Sequence, residues 1–590
     1  RVGRHFGDTI PGIFTDEPHF VHKPCLRAAA DLTDLRLPFT DDLPDTYRRA
    51  FGDDLLDHLP EIVWDLPHRA PSLTRLRFHD HLCDRLLDGF LRPIADWCAA
   101  HRIALTGHLV EESTLTAQTQ YNGDIMRGYP HMHVPGIDLL HDGMELNSAK
   151  QCQSAVRQLG RPAMASELYG ATGWDFPFAD FKAQGDWQAA LGVTLRIHHL
   201  AWASMAGQGK RDYPGSIAYQ QPWWREFKLI EDHFARVNVL MTRGRPLVSL
   251  GVIHPIESFW LCFGPERQNR TEREARERQF RELTEWLLYG LLDFDFINES
   301  LLPQLGGDLA PDGPRLKVGE MAYGTLLVPG LRTLRGTTLE RLERFAAAGG
   351  RLLFVGEIPT LVDGRPSDRP ARLARRCPCL PFERAAILAA LDSTRLFRAG
   401  TPDGEPRALL HQLREDEGRR LLFLCNTDRG RGQPHVRLRF PGRWTATHWD
   451  TLTGESEALP SVVADGGETC IEWSFPPHGH LLLSLDFADS AKPADGLRPR
   501  PAAPSAARIV SAAALPARVR VTLSEPNAVP LDLARWRWDD GPWQPVEETL
   551  RIEDAIRRRL GLPLRRSHNA QPWCEQIGRA SCRERVYHPV

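Results

Sequence analysis

The chain has 590 residues, 42% of them hydrophobic and 25% charged, with a formal net charge of -3. That length provides for several cores rather than one, and the near-neutral balance excludes a global field that would gather nucleic acid or an anionic membrane. No apolar run is long enough to span a bilayer, and the 11 cysteines, an odd number without metal-ligand spacing, read as free thiols. Free thiols favour a reducing compartment. The first residue is Arg1 and no secretory pattern follows it, so cytoplasmic and exported destinations both stay open.

From residue 10 to about 205, short apolar runs alternate with amphipathic segments, which predicts βα units and a parallel sheet. Five strands are predicted, at 12–15, 103–106, 133–137, 162–165 and 194–197. Each runs into polar residues: Asp16-Glu17-Pro18, the stretch from Gly107 to Glu112, Asp138, Ser166-Glu167, and His198-His199. Helices are predicted over 74–98, 148–159 and 178–191, the first with Leu76, Leu82, Leu86, Leu87, Phe90 and Leu91 at helical spacing. Polar clusters at the carboxyl ends of parallel strands are what the catalytic face of a (β/α)8 barrel presents. Five strands are three short of that barrel, and the expected place of the others is before Arg1. A doubly wound sheet would use five strands, but no glycine-rich phosphate loop follows the first. The expected fold class is therefore α/β multidomain: an N-terminally truncated barrel, an open α/β domain and an antiparallel sandwich.

Residues 1–245 form the expected partial barrel, holding its strands four to eight. In 246–400, strands at 246–252, 324–329 and 351–356 alternate with helices at 271–291 and 338–348, the latter ending at Gly349-Gly350 as a helix should. Gly356-Glu357 follows a strand where a catalytic domain of this shape would carry Cys or Ser. The expected role is structural, or the joining of like subunits. Residues 401–487 alternate with period two, which predicts the β-sandwich. A Pro/Ala-rich linker at 488–507, the start of a further β-domain at 508–574 with a helix at 552–560, and a non-native tail at 575–590 complete the chain.

The stretch Ser166-Glu167-Leu168-Tyr169-Gly170-Ala171-Thr172-Gly173-Trp174 sets a carboxylate beside aromatic rings and flexible glycines at the end of an apolar run. Glycosidic bonds are cleaved by paired carboxyl groups, and a pyranose packs its apolar face on Trp or Tyr. Glu17 is the natural partner of Glu167. If Phe14 and Phe20 desolvate it, its pKa rises and it serves as general acid, leaving Glu167 as base or nucleophile. Glu111 and Glu112 are rivals. Asp16, His108, Asp138, Tyr169, His198 and His199 are candidates to bind sugar hydroxyls, and Trp174, Trp202, Trp223 and Trp224 to stack on rings.

Three strings carry a wider resemblance: Thr106-Gly107-His108-Leu109-Val110-Glu111-Glu112, Pro135-Gly136-Ile137-Asp138, and Ser166-Glu167-Leu168-Tyr169-Gly170 with Trp174. Together with Asp186-Trp187, Lys210 to Pro214 and Gln221-Pro222-Trp223-Trp224, they resemble bacterial glycoside hydrolases of the family 106 α-L-rhamnosidase type. The succession of barrel, amidotransferase-like α/β domain and sandwich is also similar to family 42 β-galactosidases. The resemblance covers roughly residues 10 to 485. It implies a clan A-like barrel with Glu17 on the fourth strand facing Glu167 on the seventh, a neighbouring carboxylate at Glu111 or Glu112, and a glycoside or oligosaccharide substrate. It implies no cofactor beyond a calcium ion, for which no ligand set can be named.

Two readings compete. His131-Met132-His133 with Asp138, His198 and His199 could form the metal centre of an amidohydrolase-type barrel, although His131 and His133 precede their strand. No metal is assigned. Alternatively the chain is an inactive carbohydrate-binding fragment, since a barrel short of three strands has two unpaired edges.

Overall fold

The computed structural model describes residues 2–201, 217–488 apart from 312, 403 and 464–466, then 518, 520, 522 and 533–564. Trp202, the segment from Lys210 to Pro214, residues 489–507 of the expected linker and the 575–590 tail lie outside the described residues.

Five strands, β1 (Gly12–Thr15), β2 (Ala104–Gly107), β3 (Val134–Leu139), β4 (Ala165–Leu168) and β5 (Leu195–His198), form one sheet in the order of the chain. Every pairing is parallel. Sequential order is that of a curled half-barrel, whereas a doubly wound sheet would reverse direction part-way. β4 begins three residues beyond the predicted position, so Ser166 and Glu167 lie inside the strand. Pro162, which has no N–H for a ladder, stays outside it.

The helix expected over 74–98 is an α-helix, Leu73–Leu86, a π-turn, Leu87–Leu91, and a second α-helix, Arg92–Ala100. Pro93 stands just after the π-turn, whose wider hydrogen bonding suits the loss of an N–H there. Ser72 caps the first helix by accepting from Arg75 N. Leu146–Gln158 and Phe178–Ala190 follow between later strands.

A second parallel sheet has the spatial order Cys379–Leu380, Arg351–Val355, Thr325–Val328, Leu250–Ile253, Phe294–Ile297. The predicted strand at 246–252 is split. Its apolar end joins this sheet, while Arg245–Pro246 pairs antiparallel with Leu409–Asp416, an edge position that Pro246 tolerates. Gly336–Ala347 ends in a Schellman turn: Gly350 N donates to Phe345 O at 2.9 Å, Gly349 N to Ala346 O at 3.1 Å, and Gly349 has φ +90°.

The crevice at the carboxyl ends of these strands, where doubly wound folds bind ligands, is filled by side chains of the first unit. His254 Nε2 meets Gln151 Oε1 at 2.8 Å, Asn298 donates to Asp124 at 2.6 Å, and Arg335 donates to Asp80 at 2.8 Å. Glu357, at the strand end where a nucleophile would stand, takes Arg276 at 3.3 Å.

Two antiparallel sheets follow, of six strands counting Arg245–Pro246 and of four. Leu409, Leu413, Leu422, Leu424, Val436, Leu438, Ile471 and Leu483 close the core between them. The helix Thr549–Leu560 lies beyond.

Candidate active site

The site grows from the carboxyl ends of β1 to β4. Gly107 ends β2 with φ +134°, and a Cβ there would lie 2.0 Å from Thr15 O. Only glycine permits that approach. The next residue, His108, donates its backbone N–H to Thr15 O at 3.2 Å, which fixes its ring beside the end of β1. Asp138 and Glu167 are register partners in β3 and β4, so their side chains stand on the same face of the sheet.

His108 is the hub. It is 1% exposed; its Nε2 lies 2.7 Å from Glu167 Oε2 and 3.4 Å from Asp16 Oδ1, and its Nδ1 lies 3.1 Å from Leu109 O. A carbonyl only accepts, so Nδ1 carries hydrogen, and the carboxylates claim a second hydrogen on Nε2. Burial alone would lower its pKa. The Glu167 hydrogen bond and the charges of Asp138 and Glu112 reverse this and hold it at about 10. His108 is an imidazolium at neutral pH.

Glu17 follows β1 with φ +48°. Burial and the charge of Asp138 push its pKa up to about 8, against the pull of His108, and it shares a hydrogen bond with Asp138. At neutral pH Glu17 is therefore the donor in that bond. Of the two rings expected to desolvate it, Phe14 packs edge-on to His108 at 5.4 Å, and Phe20 lies 4.7 Å from Lys23 Nζ.

Asp16, Glu17, His108, Asp138 and Glu167 are thus brought into one cluster, and other candidates fall elsewhere. Glu112 is 3% exposed and staples two strands together, accepting from Leu109 N at 3.2 Å and Asp138 N at 3.3 Å. Its neighbour Glu111, with φ +54°, turns to a separate cavity of about 760 Å³. Glu17 and Glu167 are not among that cavity's walls.

Tyr169 is 1% exposed and packs among Phe181, Phe227 and His198, away from the carboxyl cluster. His198 stacks on Tyr169 at 5.4 Å and meets Glu231 Oε1 at 2.9 Å. Glu231, on the helix Lys228–Met241, also binds Arg196; nothing in the local sequence marked it, because the contact crosses from a strand to a later helix. Trp223 is half-buried and packs against Phe178, Phe181 and Phe227, whereas Trp224 is exposed. Trp174 is half-buried, its carbonyl accepting from Gln221 at 3.3 Å, and His199 follows β5.

The alternative metal centre does not assemble. His133 Nδ1 accepts from Leu105 N at 3.1 Å and stands before β3, away from the ends that carry Asp138 and His198. Asp16, His108 and Glu167 do bring donor atoms within 4.8 Å of one another. A neutral His108 would present Nε2 there beside the two carboxylates.

No protein-family model matches the chain, and no curated protein matches it in sequence. Solved structures match its fold. A rhamnosidase from Novosphingobium sp. PP1Y superposes with a TM-score of 0.58 at 18% identity, over 77% of this chain and 44% of that one. The chain therefore spans less than half of that enzyme's length. A β-galactosidase from Bacillus circulans sp. alkalophilus gives 0.51 at 12% identity, over 76% of this chain and 77% of that one. A β-galactosidase from Rahnella sp. R3 gives 0.51 at 12% identity, covering 76% of each. At such identities the likeness is one of fold: a curled parallel half-barrel with antiparallel β units, in the arrangement these glycoside hydrolases share.

Proposed function

We propose that the chain is a glycosidase in which Glu17 protonates the leaving oxygen and Glu167 acts as base or nucleophile. One observation carries this reading: two carboxyl groups, distant in sequence, share one cluster with the buried His108, which Glu167 meets at 2.7 Å and whose charge acts on Glu17. Burial and Asp138 raise Glu17 to about 8. Glu167 accepts an N–H from His108 at 2.7 Å. A carboxyl kept protonated near neutral pH can serve as the acid.

The fold likeness to a rhamnosidase makes α-L-rhamnosides the first substrates to try, with β-galactosides second. The purified chain is expected to cleave a nitrophenyl glycoside of one of these classes, and Glu167→Gln to lower kcat by about 10²–10⁴-fold or more. Unaltered turnover in that variant, or a wild-type chain inert on every aryl glycoside, counts against the proposal.

A further inference from the structure

We infer that the cavity of about 760 Å³ between the helices Leu115–Tyr121 and Glu266–Tyr289 is a binding site for an uncharged oligosaccharide. This inference does not depend on the glycosidase reading.

The walls are fixed. Glu277, from the long helix, accepts from Leu115 N at 3.1 Å and Thr116 N at 2.5 Å, capping the shorter helix from the far side of the cavity. Thr114 adds the local cap, accepting from Ala117 N at 3.1 Å. Such a volume lies in the usual range of ligand pockets, and preformed walls spare a ligand the ordering cost.

The lining selects the ligand. His22, Tyr121 and Tyr289 contribute rings, and His22 stacks on Tyr121 at 4.7 Å. Glu111, Glu145 and Glu285 contribute carboxyls against the guanidinium of Arg281, which pairs with Glu285 at 3.8 Å, while burial raises the pKa of Glu277. Burial and His19 lower the His22 pKa, so its ring adds no charge at neutral pH. A cavity with this balance repels sulfates, phosphates and uronates. Carboxyl oxygens only accept when ionised, and hydroxyl groups on a ring with an apolar face supply the donors and the stacking surface together.

The test is calorimetric titration of the full chain carrying Glu167→Gln, so that no probe is consumed. The probes are malto-, cello-, xylo- and galacto-oligosaccharides from disaccharide to hexasaccharide, a sulfated galactan oligosaccharide and spermidine. At least one neutral series is expected to bind more tightly as it lengthens. Arg281→Ala with Glu285→Ala removes an exposed pair from the cavity wall at little cost to the fold. That change should weaken the longest neutral probe about tenfold, or 1.4 kcal/mol. Met144→Trp, on an exposed rim residue, should do the same by obstruction.

Absence of binding by every neutral probe, binding untouched by both variants, or tighter binding of the sulfated probe or spermidine would overturn the inference. The two proposals fail separately. Aryl glycoside cleavage without cavity-dependent binding leaves the glycosidase and removes the cavity. Cavity-dependent binding without cleavage leaves the saccharide site and removes the glycosidase.

Discussion

Glu17 keeps its proton because burial and the Asp138 carboxylate oppose its charge more than His108 favours it, with the balance at about 8. A general acid works only while protonated, so kcat/KM for unactivated glycosides should be level below that pH and fall about tenfold per unit above it. Glu17→Gln should abolish this alkaline limb and lower the rate by about 10²–10⁴-fold, yet spare dinitrophenyl glycosides, whose leaving group needs no proton. Equal losses on both substrates would take Glu17 out of the acid role. Lys23 has the corresponding problem with opposite charge. It is 1% exposed, burial lowers its pKa to about 7, its Nζ lies 2.7 Å from His79 Nδ1, and among the described residues no carboxylate forms an ion pair with it. In the unfolded chain the amine keeps its proton to about 10.4. Stability should therefore be greatest above that pH and decline as pH falls towards 7, below which the penalty is constant. Lys23→Met should flatten this limb in urea titrations taken across the window; a limb that persists would place its origin elsewhere. Of the carboxyl cluster, Glu17 and Glu167 were legible because each closes an apolar run. The grip of His108 on Glu167 was not, since register between distant strands decides it. The packing of Tyr169 was hidden for the same reason: it follows a glutamate in sequence, but φ +72° turns the ring into a neighbouring core.

Strands β1 to β4 hold the cluster only because two of them approach unusually closely, at Gly107. A methyl group there would meet Thr15 O at 2.0 Å and Thr15 N at 2.7 Å, both backbone atoms that cannot swing aside. Gly107→Ala should separate β1 from β2, costing about 1–3 kcal/mol from the forced backbone conformation alone and more from lost pairing. It should also abolish activity, because Glu17 and His108 hang from those two strand ends. A thermal melt within a degree of the parent would show that the strands move apart at no cost. The five strands were readable as apolar runs ending in polar residues, and the helices between them by their period. What the pattern could not deliver was allocation. Arg245–Pro246 and Leu250–Ile253 read as one strand yet belong to different sheets, because a missing N–H is tolerated at an edge and nowhere else. Strand order in the second sheet was equally hidden, being set by which helices cover which face.

Across the whole molecule, the first unit and the second sheet are fastened by buried charge. Lys150 and Arg157, on the helix Leu146–Gln158, face Asp293 and Asp295 at the start of the strand Phe294–Ile297, with side chains no more than 6% exposed. Arg157 Nη2 lies 2.8 Å from Asp293 and Nη1 2.9 Å from Asp295, while Lys150 lies 2.6 Å from Asp293. Tyr323 completes the set by donating to Asp295 at 3.0 Å. Two cations against two anions leave no net charge. Burial opposes the ionisation of Asp293, but Arg157 and Lys150 prevail and hold its carboxyl far below the usual range, so the network stays intact through ordinary acid conditions. Removing one member strands the others: Asp293→Asn leaves a surplus buried positive charge and should cost about 3–5 kcal/mol. Removing a matched pair should cost much less, because Lys150→Met with Asp293→Leu restores neutrality and adds apolar contact. Urea titrations of Lys150→Met, Asp293→Leu and the double variant close the cycle. A double variant as unstable as the sum of its parts would mean that the fastening comes from shape alone, with the charges as passengers.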